Sequence, residues 1–221
     1  MAKRPVWHID NQFRVVSETF EFKWNSGFAI SQSRKNIHNL HKSIMVKYPD
    51  AKPFEISSKS EDSLGQSFSA HNLKLDGYFI ENIFQASKVF KGNIQYLKLL
   101  DLPPNKVKSE LRKLSDEVPK DIVGFKYNGI EFSTTPISAF YDYLYIKALL
   151  VSNLDLDKVI IYDWFTDIAF NPKKSINCQA RSMALYKSLR LTNNLDLVNS
   201  KDAFLTIIRC MLNINNRWVS F

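Results

Sequence analysis

Three polar side chains recur at helical spacing in the segment Glu81-Asn82-Ile83-Phe84-Gln85-Ala86-Ser87-Lys88. On one helix, Glu81, Gln85 and Lys88 would lie at i, i+4 and i+7 and share one stripe, with Phe84 beside it. A carboxylate, an amide and an amine on one stripe could bind a sugar and carry out acid–base or amine chemistry on it. An exposed polar helix face with a solvated lysine would give the same spacing.

Asp142 is the acid within an aromatic run, Ala139-Phe140-Tyr141-Asp142-Tyr143-Leu144-Tyr145. On a helix it would share a face with Ala139 and Tyr145. An acid surrounded by aromatic residues is either a hydrogen-bonded structural group or a carboxyl with a raised pKa. The sequence leaves both interpretations open.

A polar and basic segment, 171–182, opens a helix predicted for 175–191. Ser175 or Asn177 is expected to cap that helix. A helix N-terminus beside Lys173, Lys174 and Arg181 would suit a pyrophosphate. A capped surface helix with nothing bound explains the same residues.

Together these segments resemble the NADAR family, which is named for its link to NAD and ADP-ribose. Glu81-x-x-x-Gln85-Ala86-x-Lys88-x-Phe90 is similar to the Glu-x-x-x-Gln-Ala-x-Lys-Phe helix of that family. Trp24-Asn25-Ser26-Gly27-Phe28 resembles its aromatic-x-Ser-Asn-Phe turn, with Gly27 in place of the asparagine. Asn177 matches the asparagine of its late Gly-x-Asn-x-Leu-Gly segment. The resemblance extends from about Phe20 to about Phe204.

Three further segments look like the branch of NADAR proteins encoded beside DarT-type toxins, namely Phe140-Tyr141-Asp142, Phe165-Thr166-Asp167 and residues 171–182. Those toxins attach ADP-ribose to guanine bases in DNA. The resemblance therefore implies an ADP-ribosylglycohydrolase that removes ADP-ribose from guanine in DNA and acts as the antitoxin to a DarT-type toxin. Such an enzyme would cleave an N-glycoside whose anomeric carbon becomes oxocarbenium-like.

The same resemblance gives individual residues a role. Lys88 is expected to trap the opened sugar as a Schiff base, and Glu81 to act as general acid and base, with Asp142 as a second acid. A lysine between Phe84 and Phe90 would lose water, so its pKa would fall. The residues expected to bind the ligand line one pocket, formed by the Trp24–Phe28 turn, the Glu81–Lys88 helix and the loop before Asn177: Trp24, Gly27, Phe28, Phe84, Gln85, Asn177 and Arg181.

Two other functions remain open alongside this one. An N-glycosidase acting on aminopyrimidine intermediates of the flavin pathway would share Glu81 and Lys88 but would not need DNA. A non-enzymatic antitoxin would bind its toxin and block it, and it would keep protecting cells without Lys88.

Composition limits the remaining possibilities. The net charge of +8 is spread along the chain without a block of five like charges, which favours an anionic ligand but not a basic tail. Neither GxGxxG nor GxxxxGK[ST] occurs. The two cysteines, Cys178 and Cys210, lack metal-ligand spacing, and so do four histidines expected at loop or surface positions: His8, His38, His41 and His71. We expect no metal, no cofactor, no membrane span and a cytoplasmic protein.

Local patterns predict an α+β fold that is mainly helical. Val15–Phe22 has the partial alternation of a strand, and Asn128-Gly129 is typical of a two-residue turn within a hairpin over 124–132. A second turn is expected at Asp76-Gly77. Helices are expected at 31–47, 80–90, 137–150, 175–191 and 202–212, with a polar helix within 100–118. No long linker divides the chain, so residues 1–221 are expected to form a single domain with small β-hairpins, and the resemblance implies that this domain is NADAR-like.

Overall fold

The computed structural model describes residues 1–115, 121–173 and 175–212. The chain folds into two compact units, the first comprising Met1–Ser69 and Asn153–Phe221 and the second Ala70–Ser152. The strands, in chain order, are β1 (Ala2–Ile9), β2 (Val15–Phe22), β3 (Pro53–Glu55), β4 (Lys74–Leu75), β5 (Tyr78–Phe79), β6 (Lys88–Phe90), β7 (Ile122–Tyr127), β8 (Ile130–Phe132) and β9 (Trp164–Thr166). The helices are α1 (Ile30–Lys47), α2 (Ser63–Ser67), α3 (Ile80–Ala86), α4 (Pro104–Ser115), α5 (Ala139–Val151), α6 (Gln179–Leu191) and α7 (Lys201–Met211). The predicted α+β class is confirmed, whereas the single domain over 1–221 stays a prediction.

The first unit is built on a four-stranded sheet in the order β2-β1-β9-β3. In β2, Val15, Phe20 and Phe22 are buried while the intervening Ser17 and Glu21 are exposed, which confirms the strand predicted from alternation. Helix α1 packs on the sheet through a buried stripe at helical spacing, and this stripe shares one apolar cluster with strand residues: Ile37, Leu40, Ile44, Val6, Phe20, Phe22 and Trp164.

Strands β3 and β9 are parallel neighbours, with Phe54 opposite Phe165 and Glu55 opposite Thr166. Their carboxyl ends therefore meet at the same edge of the sheet. In parallel sheets, ligands bind at the carboxyl ends of the strands, and polar side chains are common there. Glu55, Thr166 and Asp167 all lie there.

The second unit has a three-stranded antiparallel sheet, β6-β7-β8, and a small β4–β5 hairpin. Asn128 and Gly129 join β7 to β8 with φ values of 47° and 77°, as a two-residue turn of the primed type requires. Asp76 and Gly77 form the other predicted turn, with φ values of 51° and 85°. Aromatic rings fill the space between the sheet and α5, with Phe125 and Phe140 at 4.9 Å between ring centroids.

Helix α4 is the polar helix predicted within 100–118, and its side facing the core carries Val107 and Leu111. These two residues pack with Phe90 and Leu99 against α3. The C-terminal part of that predicted segment, 116–120, lies outside the described residues. In the ranges that are described, no helix combines the length and the apolar character that crossing a membrane requires.

Candidate active site

Helix α3 is shorter than the helix predicted over 80–90. It ends at Ala86, Ser87 follows as its C-cap, and Lys88 is the first residue of β6. The Ser87 backbone N–H and hydroxyl both donate to the Ile83 carbonyl, which closes the last turn, and Lys88 then pairs with Phe125 of β7. The expectation that Lys88 lies on a helical stripe is therefore wrong, because the sheet takes over the backbone pairing from Ser87 onward.

The three predicted side chains are nevertheless connected. Lys88 Nζ donates to Gln85 Oε1 at 2.5 Å, and Gln85 Nε2 donates to Glu81 Oε1 at 2.8 Å. Glu81 and Gln85 are 5 % and 4 % exposed, so the alternative of a solvated polar face is wrong. The amide of Gln85 thus orients the amine and the carboxylate by giving each its complementary group.

The environment of Lys88 destabilises the charged form of its amine. Burial lowers the pKa of Lys88 to about 8, since an ammonium loses hydration there. The negative charge of Glu81 opposes this shift, and the positive charge of Lys108 adds to it. Lys88 Nζ also lies 5.2 Å from the ring centroid of Phe84, as predicted, while Phe90 packs against Tyr96.

Lys108 is a member of this cluster that the sequence did not suggest. Its Nζ lies 3.3 Å from Glu81 Oε1, the oxygen that also accepts from Gln85. Its side chain is half-exposed, whereas the carboxylate is buried. The only hint in the sequence is that a polar helix follows α3.

Asp142 lies on α5, as predicted, and is fully buried. The neighbouring rings of Phe140 and Tyr141 pack on Phe84, at 6.4 Å and 5.2 Å between ring centroids. Asp142 thus belongs to the same unit as Lys88 and follows residues that touch the cluster. Its role as a second acid stays a prediction.

The Trp24–Phe28 turn lies in the first unit, between β2 and α1. Buried Asn36 of α1 holds it in place: its Oδ1 accepts from the backbone N–H of Asn25 at 2.7 Å and its Nδ2 donates to the Asn25 carbonyl at 3.0 Å. Gly27 has a φ of 123°, a conformation open to glycine, and the Phe28 ring is fully exposed. The Arg4 guanidinium lies 5.2 Å above the Trp24 ring.

Helix α6 begins later than predicted, at Gln179, with Cys178 as its N-cap and no side-chain capping bond. The expectation that Ser175 or Asn177 caps it is therefore wrong. Ser175 Oγ instead donates to the Asn177 carbonyl, and the Asn177 side-chain Oδ1 is buried with no hydrogen-bond donor among the described residues. Arg181 lies over the Trp7 ring at 5.9 Å, and Lys174 lies outside the described residues.

These positions divide the predicted site between the two units. Glu81, Phe84, Gln85, Lys88 and Asp142 belong to the second. The remaining predicted ligand contacts belong to the first: Trp24, Gly27, Phe28, Asn177 and Arg181. That all of them bind one ligand stays a prediction.

A buried polar network at the β3–β9 edge was missed by the sequence analysis. Glu55 accepts from the Thr166 hydroxyl at 2.7 Å, from the Ser57 hydroxyl at 2.6 Å and from the Ile168 N–H at 2.9 Å. Since the Thr166 hydroxyl donates to Glu55, it accepts from His41 Nε2 at 2.8 Å. A glutamate between Phe54 and Ile56 is the feature of the sequence that could have indicated it.

Asp167 adds a second buried carboxyl beside Glu55. Its Oδ1 accepts from the backbone N–H groups of Ala169 and Phe170 at 3.1 Å and 3.2 Å. Burial raises the pKa of both carboxyls, and the charge of Glu55 raises that of Asp167 further. Glu55 and Asp167 are therefore protonated at a higher pH than exposed carboxyl groups are.

The histidines are not all at loop or surface positions. His41 lies on α1, and burial lowers its pKa to about 4, so the ring is neutral at physiological pH. His38, one turn earlier, pairs at the surface with Glu61 at 2.9 Å. Within the described part of the chain, no three His, Cys, Asp or Glu side chains come together as metal ligands do. Cys178 and Cys210 are both free thiols.

Comparison with known protein families identifies the family of this chain. The model of the DarT1-associated NADAR antitoxins matches residues 2–216, nearly the whole chain. The chain belongs to this antitoxin family. No curated protein sequence matches the chain.

Membership in the DarT1-associated NADAR antitoxin family confirms the resemblance drawn from the Glu81–Lys88 segment and the Trp24–Phe28 turn. It gives the chain the role of an antitoxin in a DarT system. NADAR proteins are associated with N-glycoside hydrolysis, and the Lys88–Gln85–Glu81 cluster has the residue types for that chemistry.

Proposed function

We propose that this antitoxin removes ADP-ribose from guanine bases of DNA, with the Lys88 amine as the nucleophile. The observation that carries the proposal is the hydrogen-bonded row Lys88–Gln85–Glu81, in which burial brings the pKa of the amine down to about 8. A lysine with its ordinary pKa is almost entirely protonated at neutral pH, and a protonated amine has no lone pair to attack carbon. The reaction would return the DNA that the toxin has modified to its unmodified form.

The chemistry needs one nucleophile and one group that moves a proton. The bond between C1 of the ribose and the guanine nitrogen breaks while that nitrogen takes a proton from the Glu81 carboxyl, and C1 becomes oxocarbenium-like. The Lys88 amine bonds to C1, and the ring oxygen leaves C1 with a proton, which gives a protonated Schiff base. Glu81, again a carboxylate, then takes a proton from the water that adds to C1, and loss of the amine releases ADP-ribose.

The neighbouring residues support this assignment. Gln85 keeps both reacting groups in place, and a positioned proton transfer contributes about 10²–10⁴-fold to a rate. The Phe84 ring keeps water from one side of Lys88. Asp142 is proposed as a second acid, and the exposed rings of Trp24 and Phe28 as surfaces on which a base or the adenine stacks, worth about 1–3 kcal/mol each.

The partners follow from the same proposal. They are ADP-ribosylated DNA and ADP-ribose, with the DarT-type toxin as the protein whose product is removed. The reaction needs no cofactor, because the amine and the carboxylate supply the nucleophile and the proton. The proposed setting is the cytoplasm, where the modified DNA would be found.

The test is to incubate the protein with an oligonucleotide ADP-ribosylated on guanine and to measure free ADP-ribose and restored guanine. We expect both products from the wild type and neither from Lys88→Ala. In cells that express the toxin, Lys88→Ala should lose protection. Protection that survives this substitution would point to a toxin-blocking protein, and release from a ribosylated aminopyrimidine but not from the oligonucleotide would point to the flavin-pathway alternative.

A further inference from the structure

Lys108 occupies an unusual place beside the Lys88 cluster. Its Nζ lies 3.3 Å from Glu81 Oε1, and this single oxygen also accepts from Gln85 Nε2 at 2.8 Å. Gln85 in turn accepts from Lys88 at 2.5 Å. The buried Glu81 carboxylate is therefore linked to two lysines: it contacts Lys108 directly, and it is connected to Lys88 through the amide of Gln85.

In this arrangement the Glu81 carboxylate attracts Lys108 directly and Lys88 more weakly. A carboxylate paired directly with one ammonium attracts a second, more distant ammonium less strongly, since the two positive charges repel each other. The charges that act on Lys88 come from α3 and α4: Glu81 raises its pKa and Lys108 lowers it. The half-exposed Lys108 keeps its own charge at little cost because water still reaches it.

Among the described residues, Lys108 is the cation that lowers the pKa of Lys88. Strand β7 places the ring of Phe125 opposite Lys88, and the next residue, Lys126, is paired with Glu131 at 2.8 Å. Helix α5, which packs on α3, carries the buried acid Asp142. The positive charge that acts on the amine is thus the one on α4.

The position of α4 is itself fixed from α3. The Asn82 side-chain Nδ2 lies 3.0, 2.9 and 2.6 Å from the carbonyl oxygens of Leu99, Leu100 and Leu102, which share its two N–H groups, just before α4 begins at Pro104. The residue next to Glu81 therefore holds the segment that brings Lys108 to Glu81. An incidental surface pair would not need such an anchor.

We propose that Lys108 is a positioning residue for the Lys88 nucleophile: it pairs directly with Glu81 whenever that side chain is a carboxylate, and it adds a positive charge beside the amine, which increases the uncharged fraction of Lys88. The proposal rests on the function proposed above. Lys108 itself touches no reacting atom, and it acts through Glu81 and through its charge.

The pH dependence of turnover tests this role. In the wild type, kcat/KM should rise with pH as Lys88 loses its proton, reach half its maximum near pH 8 and level off about one pH unit higher. In Lys108→Gln the rising limb should move up by about 0.5–1 pH unit, so activity at pH 7 falls about three- to tenfold and recovers at pH 9.5. Lys108→Arg should keep the limb near its wild-type position, since it keeps the charge.

Lys106→Gln is the matched control, because it removes the same charge from the same helix. Lys106 is exposed and lies two residues from Lys108, so it faces another direction. Its limb should stay in place. The proposal is overturned if Lys108→Gln leaves the limb where it is, or if it lowers activity equally at every pH, as a lost substrate contact or a packing defect would.

A second readout separates this proposal from the proposed function. The rate at which acetic anhydride acylates Lys88, followed by mass spectrometry across pH, reports the ionisation of the amine without any substrate. We expect the midpoint to move up in Lys108→Gln and not in Lys106→Gln. A wild type that releases no ADP-ribose would defeat the proposed function while this titration still decides the role of Lys108, and an unmoved midpoint would defeat the role of Lys108 alone.

Discussion

At the scale of single residues, the amine of Lys88 separates covalent from electrostatic catalysis. Lys88→Ala should abolish turnover, and Lys88→Arg should do nearly as badly, because arginine keeps the charge but stays protonated. A lysine that acts only as a charge would tolerate arginine with a loss of about 1–2 kcal/mol, on the order of tenfold in rate. Release of ADP-ribose from the modified oligonucleotide measures both variants.

Borohydride provides the direct check on the intermediate. Added during turnover, it should reduce the Schiff base to a stable adduct on Lys88 in the wild type and give none in Lys88→Arg. Glu81→Gln should slow cleavage and leave ADP-ribose binding largely intact, since it keeps the shape of the side chain. Near-normal activity of Lys88→Arg would contradict the covalent route.

The buried acid Asp167 makes the stability of the protein depend on pH. Its pKa is raised above the ordinary 3.8, so the folded state binds the proton more tightly than the unfolded state. Stability present at low pH is then lost as the pH rises from about 4 toward neutrality. Asp167→Asn has no carboxyl to ionise, so its melting temperature should fall less than that of the wild type between pH 5 and pH 8. The difference should be about 2–4 °C for each kcal/mol of folding free energy that the wild type loses through Asp167.

Asp121→Asn serves as the control for that comparison, because Asp121 is exposed. Its melting curve should follow the wild type at each pH. Parallel falls in the wild type and in Asp167→Asn would mean that the carboxyl ionises in the folded protein as it does in the unfolded one.

At this scale the sequence predicted the site only where its residues are close in the chain. Glu81, Gln85 and Lys88 were found because helical spacing brings them near each other, and they meet although the helix ends before Lys88. Lys108 and the Glu55–Asp167 pair could not be found in this way. Their contacts arise from how α4 packs on α3 and from the pairing of β3 with β9, which no local pattern specifies.

At the scale of elements, the contact between α3 and the segment before α4 depends on one asparagine. Asn82→Ala should take the side-chain donor from the carbonyls of Leu99, Leu100 and Leu102, and in the part of the chain that the structure describes only the Leu99 carbonyl keeps a backbone donor, the Leu102 N–H at 3.5 Å. We expect a loss of about 1–3 kcal/mol, the usual range for a buried polar group left unpaired. Urea unfolding should show it as a lower midpoint with an unchanged slope.

Asn105→Ala offers the same chemical change at an exposed position of α4. It should alter stability by no more than about 0.5 kcal/mol. If the two variants unfold at the same urea concentration, the contacts of the Asn82 amide contribute nothing net to the packing of α4.

Elements with strong local patterns were predicted well. The β7–β8 hairpin follows from Asn128-Gly129, α1 from its apolar spacing, and α7 from the segment 202–212. Strand β1 was missed, since Lys3, Arg4 and Pro5 hide its pattern, and it forms because β2 and β9 pair with it on both sides. Tertiary pairing overrides weak strand propensity in this case.

At the scale of the whole molecule, the net charge of +8 should make the reaction on DNA sensitive to salt. Contacts between lysine or arginine and phosphates release counterions, so the KM for a modified oligonucleotide should rise between 50 and 200 mM salt. If about two phosphates of a single strand are neutralised, the rise is roughly five- to tenfold. The KM for ADP-ribosyl-guanosine, which lacks the flanking phosphates, serves as the control and should change less, and equal changes would argue against contacts outside the modified nucleotide.

Helix α3 is buried at every one of its positions, from Ile80 to Ala86. A library of single substitutions would therefore find no silent position in this helix, because every side chain either packs in the core or takes part in the hydrogen bonds around Glu81. Helix α4 would give the opposite picture, with free exchange at exposed positions such as Lys106 and Ser109. A substitution that alters the surroundings of Glu81 without also harming the fold would then be found on α4, and Lys108 is the residue of α4 that contacts Glu81.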